Sequence, residues 1–163
     1  MRCVTTISSV ALAGVLAACG GGTHSRLSAR PDTLPASITV AQAARLYLVE
    51  AKGTNDQQGR LNGVLAVKPV DLAKARLIAG RLADALRSFS LLVGVTPWPG
   101  AAARDAPVLR TVIDSEAALA THMAAARSST ELNADLRDYI AENQAGYPAV
   151  DMMRHDLGLP GAS

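Results

Sequence analysis

The chain predicts an all-α fold: an antiparallel up-down four-helix bundle that follows a flexible N-terminal tether. Three observations lead there. Hydrophobic residues make up 49% of the 163 positions but aromatics only 3%, so the core must be built from Ala, Leu, Val and Ile, which suit helices better than strands. From residue 40 onward, apolar residues recur at alternating spacings of three and four, the period of a half-buried helix. Breaks bearing Gly, Pro or Ser then divide that pattern into four stretches with mostly short connections, which makes consecutive helices antiparallel.

Arg2 precedes an uncharged stretch from Val4 to Ala18 whose later part, Val10-Ala11-Leu12-Ala13-Gly14-Val15-Leu16, is apolar. That is short of the roughly 20 residues a membrane span needs and has the dimensions of an export signal. It ends in Leu16-Ala17-Ala18-Cys19, followed by three glycines. The sequence resembles the lipobox of bacterial lipoproteins: an aliphatic residue, two small ones, then the cysteine. The resemblance implies cleavage after Ala18 and a lipid thioether on Cys19, and hence a membrane-anchored protein on the extracytoplasmic face. Gly20 stands where enteric-type bacteria place a retention Asp, so the outer membrane stays open for a double-membrane cell. Cysteine usage agrees: Cys3 lies in the discarded segment, which leaves a lone N-terminal thiol in an exported chain, and acylation accounts for it. Two or three acyl chains, at about 0.8 kcal/mol per buried methylene, make a lasting anchor.

Residues 1–18 are therefore read as signal peptide and 19–37 as lipidated N-terminus and tether. The stretch GGGTHSRLSARPDTLPAS is rich in Gly, Ser, Thr and Pro without apolar periodicity, and as a coil it would span about 23–25 Å. The bundle is expected over 38–158, with a short tail at 159–163. What remains after cleavage suits one domain, large enough to bury roughly 68–70% of its unfolded surface.

In the first helix, Thr39 with Gln42 three residues on is a capping-box pattern, and the stripe is Val40, Ala44, Tyr47, Ala51, Thr54, Gln58, Leu61 and Leu65. The turn-prone Gly53-Thr54-Asn55-Asp56 predicts a kink or interruption before the helix ends near Val67. The second helix opens with Pro69 in its first turn and runs to about Val93, with Leu72, Ala75, Ala79, Leu82, Leu86, Phe89 and Val93 on one face. After the loop Pro97-Trp98-Pro99-Gly100, Asp105 is expected to cap a third helix reaching about Arg127. Ser128 or Ser129 starts the fourth, whose Leu132, Leu136, Tyr139, Val150, Met153 and Leu157 share a face. Gly146 and Pro148 should kink or split it, and Gly158 and Pro160 end it. Residues 47–55, YLVEAKGTN, resemble a Tyr-Leu followed by Asn pattern in uncharacterised helical lipoproteins of actinobacteria, with Gly53 where that pattern has proline. It implies no activity.

Composition and motifs exclude several functions. With 16 basic and 14 acidic residues and no basic stripe, a nucleic-acid footprint is not supported. No G-x-S-x-G, H-E-x-x-H, C-x-x-C, P-loop or G-x-G-x-x-G motif occurs, and no free cysteine remains for a Cys/His pair. The chain is read as a non-enzyme without cofactor. His122-Met123 and Met152-Met153 with His155 invite a haem or copper reading. Helical projection puts Met123 and Met153 on core faces and the histidines at edges or outside, so packing and surface exposure account for all five and no metal site is expected.

The polar interruptions of the stripes say more. Glu116 projects into the middle of Leu109, Val112, Leu119 and Met123. Asn55, Gln58 and Asn62 interrupt the first helix, and Asn143 interrupts the fourth. Counted from the helix–helix turns, Asn55, Glu116 and Asn143 lie near one level, roughly 17 Å down their helices. Two readings compete. The set is either a buried polar layer that fixes helix register or a small-ligand pocket with Glu116 as its charged group. The leading expectation for the whole protein is an interaction or structural lipoprotein that contacts an envelope protein or cell-wall component; the alternative is a ligand-binding lipoprotein with its pocket at Glu116. Trp98, in a loop at the tether end of an antiparallel bundle, is a candidate membrane contact or a cap over the apolar end.

Overall fold

The computed structural model describes residues 38–161. The expected export signal, Cys19 and the expected tether lie outside the described residues. Four helices succeed one another, α1 (Val40–Ala66), α2 (Leu72–Val95), α3 (Ala102–Ala125) and α4 (Ser129–Asp156), with no strand among the described residues. Each packs against the next: α1 on α2, α2 on α3, α3 on α4. The first and last helices barely approach one another, which leaves a gap along one side of the bundle.

The caps explain where the helices begin. Thr39 Oγ1 accepts from the Gln42 backbone N–H at 3.2 Å while the Gln42 side chain accepts from the Thr39 N–H at 2.9 Å. This is the reciprocal capping box that satisfies two otherwise orphaned donors. Asp71 caps α2 by accepting from the Lys74 N–H, so that helix starts at Leu72, three residues beyond the expected Pro69 start. Ser128 caps α4 through the Glu131 N–H, and the Glu131 carboxylate reaches back to the Arg127 N–H. At the far end of α4, Gly158 sits at φ +66° and the Leu159 N–H bonds to the Arg154 carbonyl, a left-handed stop that glycine adopts without strain.

Three expectations need correction. α1 is unbroken through residues 53–56, because isolated glycine in a helix costs only about 1 kcal/mol. Tyr47, Thr54 and Leu61, buried on one face, hold the helix on both sides of that segment. α4 likewise continues through Gly146 and Pro148; Pro148 is exposed, so water can take the carbonyl its missing N–H leaves free. Asp105 is not the cap of α3, which begins at Ala102 after Ala101 without a side-chain cap. Burial of Trp98 and Ala102 (5% and 0% exposed) pulls the chain into the bundle earlier than local signals indicate. Asp105 ends up in the first turn, where its charge suits the helix dipole.

One core runs through the bundle, with Tyr47 and Leu61 from α1, Leu82 and Leu86 from α2, Leu109 and Met123 from α3, and Leu132 and Met153 from α4. Burying an aliphatic side chain of this kind contributes about 1.5–3 kcal/mol. Gly146, buried on α4, faces Val112 so closely that a Cβ there would collide with Val112 Cγ1; the glycine lets α4 settle against α3 beside Glu116. No described helix is long and apolar enough to cross a membrane.

Candidate functional site

A cleft of about 440 Å³ opens between α1 and α4, floored by Leu86 and Phe89 of α2 and Leu109 and Ile113 of α3. Such a volume is within the usual range of small-molecule sites. Its walls come from two stripes that the helical period puts in line. Tyr47, Ala51, Thr54 and Gln58, with Asn55 alongside, line it from α1; Asn143, Tyr147, Val150 and Arg154 line it from α4. These stripes are too polar to close against each other, and the helices that carry them stand apart.

Glu116 sits in the cleft wall on α3. It is 7% exposed, the one buried charged residue among those described. Asn143 Nδ2 donates to its Oε1 at 3.0 Å. Burial raises its pKa from the ordinary carboxylate value to about 6; the Asn143 hydrogen bond opposes that rise and the nearby Glu142 charge adds to it. Burial also holds the Tyr139 phenol well above its usual value, reinforced by the charge of Glu116 and by Tyr147. The Tyr139 hydroxyl is buried without a hydrogen-bond partner among the described residues, as is Thr54 Oγ1 in the cleft wall. Buried polar atoms are usually paired, and the unpartnered Thr54 hydroxyl marks the cleft wall as under-satisfied by the described residues.

The opposite end is cationic. Arg154, the one cationic residue among the described residues of the lining, stands next to the Tyr47 hydroxyl, whose pKa burial raises and the guanidinium lowers. Its Nε donates to the Pro160 carbonyl at 2.6 Å, so the chain that leaves α4 folds back to orient it. Tyr47 is itself fixed edge-on against Phe89, ring centres 5.4 Å apart.

The structure brings together Asn55, Gln58, Glu116 and Asn143 around this cleft. Among the described residues only Asn143 bonds the carboxylate; Asn55 and Gln58 face the opening. Asn62 does not belong to the lining and is exposed, because it lies seven residues beyond Asn55, about 10 Å further along the axis. Trp98 offers no exposed ring to a membrane: it is 5% exposed and its indole N–H donates to the Val93 carbonyl at 2.8 Å. Met123 and Met153 are buried while His122 and His155 are exposed, and no cluster of three His, Cys, Asp or Glu side chains among the described residues could hold a metal ion. Sequence reasoning missed Arg154, Tyr147 and the site roles of Tyr47 and Thr54. The available signal was spacing, since 143, 147, 150 and 154 form a single stripe on α4.

No protein-family model matches the chain, and neither curated proteins nor solved structures give a match.

Proposed function

We propose that the bundle is a non-enzymatic binding domain for a small, cation-bearing ligand, held on the outer face of a bacterial membrane by lipid on Cys19. The observation that carries the reading is the open cleft with a nearly buried carboxylate in its wall. A polar layer that merely fixed helix register would pair its amides across closed helices. Here Asn55 and Gln58 face an opening instead. Burying an ionised carboxylate is costly unless an opposite charge or several donors meet it, and Glu116 has one amide donor among the described residues. A ligand cation supplies what is missing. Chemistry is a poorer fit, because the group bonded to Glu116 is an amide that neither takes nor gives a proton.

A second reading, contact with an envelope protein or cell-wall component, draws on the exposed Leu91 and Val95, one turn apart on α2 and 63% and 68% exposed. Scattered exposed aliphatic side chains are ordinary on soluble domains, so the cleft weighs more.

Thermal shift of the full-length protein in detergent micelles tests the proposal, with primary amines, quaternary ammonium compounds, neutral sugars and dicarboxylates as probes. Cation-bearing compounds should raise the melting temperature and Glu116→Gln should abolish that rise. Equal stabilisation by sugars or dicarboxylates, or a cation response that survives Glu116→Gln, overturns it.

A further inference from the structure

We infer that the ligand is a short peptide of three or four residues lying lengthwise in the cleft, its free amine at Glu116 and its free carboxylate at Arg154. The inference rests on the cation-binding reading and names the molecule that bears the cation. The two ends set its length. Asn143, which holds Glu116, and Arg154 lie eleven residues apart on one face of α4, about 16 Å along the axis. Both side chains line the same opening. Three or four extended residues span about 10–14 Å, which leaves room for a hydrogen-bonded contact at each end.

The wall between the ends supports a peptide over any other zwitterion. Asn55, Gln58 and Asn143 offer both donors and acceptors, the complement of a backbone that alternates N–H and C=O. Thr54, 8% exposed, adds a hydroxyl on the same wall that is unpartnered among the described residues. The floor of Leu86, Phe89 and Leu109 takes side chains of modest size. Charge at each end is arranged accordingly. Glu142 adds negative potential where the amine docks. At the other end, Asp151 is felt at the Tyr47 hydroxyl together with Arg154. The carboxylate is therefore held by the paired donors of the guanidinium fork more than by net charge. The Pro160 carbonyl takes Nε and the Tyr47 hydroxyl also hydrogen-bonds the guanidinium, so its remaining N–H groups do this task.

Calorimetric titration of the full-length protein in detergent micelles is the test, with tri-alanine and tetra-alanine as probes. Both should bind, and acetylating the amine or amidating the carboxylate should each weaken binding tenfold or more. Arg154→Gln should remove the preference for free acid over amide while keeping the preference for free over acetylated amine; Glu116→Gln should do the converse. Should Arg154→Gln fail to fold through loss of the Pro160 contact, the capped peptides on the unaltered protein carry the test alone. An ω-amino acid of matching span, which has both charges and no amides, should bind at least tenfold more weakly; equal affinity overturns the peptide. If simple amines bind in a Glu116-dependent way but tri-alanine gains nothing over them, the inference falls and the cation-binding reading stands. If neither amines nor peptides bind, both fall.

Discussion

Glu116 shows how far residue-level reasoning reaches. Its position, its level in the bundle and its neighbour Asn143 were legible from helical projection, because Glu116 and Asn143 count back to the same short α3–α4 turn. The direction of its pKa shift was not legible. Burial and hydrogen bonding oppose each other, and only the geometry shows one amide donor against near-complete burial. The shift from 4.5 to about 6 means that folding takes up a proton. Glu116 therefore adds stability fully below about pH 4.5 and loses it as pH rises through about 6, a swing on the order of 2 kcal/mol. Urea denaturation of the wild type and Glu116→Gln at about pH 4.5 and 7.5 measures it: relative to the amide variant, the wild type should lose about 2 kcal/mol between the two. An unchanged difference would mean the carboxylate is solvated. Glu116→Leu should be less stable than Glu116→Gln by about 1–3 kcal/mol, since it strands the Asn143 amide. Ligand binding should run the other way with pH: a bound cation favours the charged carboxylate, so affinity should rise from about pH 5 to 7.

At the scale of elements, local signals worked where a side chain bonds its own backbone and failed where tertiary packing decides. The Thr39–Gln42 box and the Gly158 stop are local chemistry and were readable as such. The break expected at Gly53-Thr54-Asn55-Asp56 and the Asp105 cap were overruled by burial on either side. Helical glycines can therefore be sorted by what surrounds them. Around Gly59, mid-helix in α1, a Cβ would meet nothing within 4 Å; Gly59→Ala should stabilise the bundle by about 0.5–1 kcal/mol through a less flexible unfolded chain. Gly146 meets Val112, so the same substitution there forces α3 and α4 apart. Overpacking of about 1–3 kcal/mol should outweigh the gain in helix propensity. Urea midpoints should move in opposite directions for the two variants, and a Gly146→Ala protein as stable as Gly59→Ala would show that Val112 yields freely. Because Gly146 lies beside Glu116, Gly146→Ala should also weaken cation binding.

For the whole molecule, the division of labour among helices comes from their stripes. α2 and α3 carry nearly uninterrupted apolar faces and pack on one another at the centre. α1 and α4 carry Asn and Gln on the edges that would meet, and those edges stand open as the cleft. The interruptions are plain in the sequence, but whether two polar edges zip into a layer or part into a cleft depends on distances set by the central pair, which no periodicity encodes. Where the domain is held is a separate matter. Cys19 and the proposed lipobox Leu16-Ala17-Ala18 precede the bundle's first described residue, Ile38, by a stretch with no apolar period, so anchoring and ligand binding should be separable. Cys19→Ser removes the only thiol at the proposed cleavage site able to form a thioether. In cells fed radiolabelled palmitate, the variant should carry no label and should accumulate as uncut precursor, while the purified protein keeps the wild-type melting temperature and amine response. Palmitate on the Cys19→Ser protein would end the lipoprotein assignment, and loss of the amine response in that variant would mean that the anchor region contributes to the site.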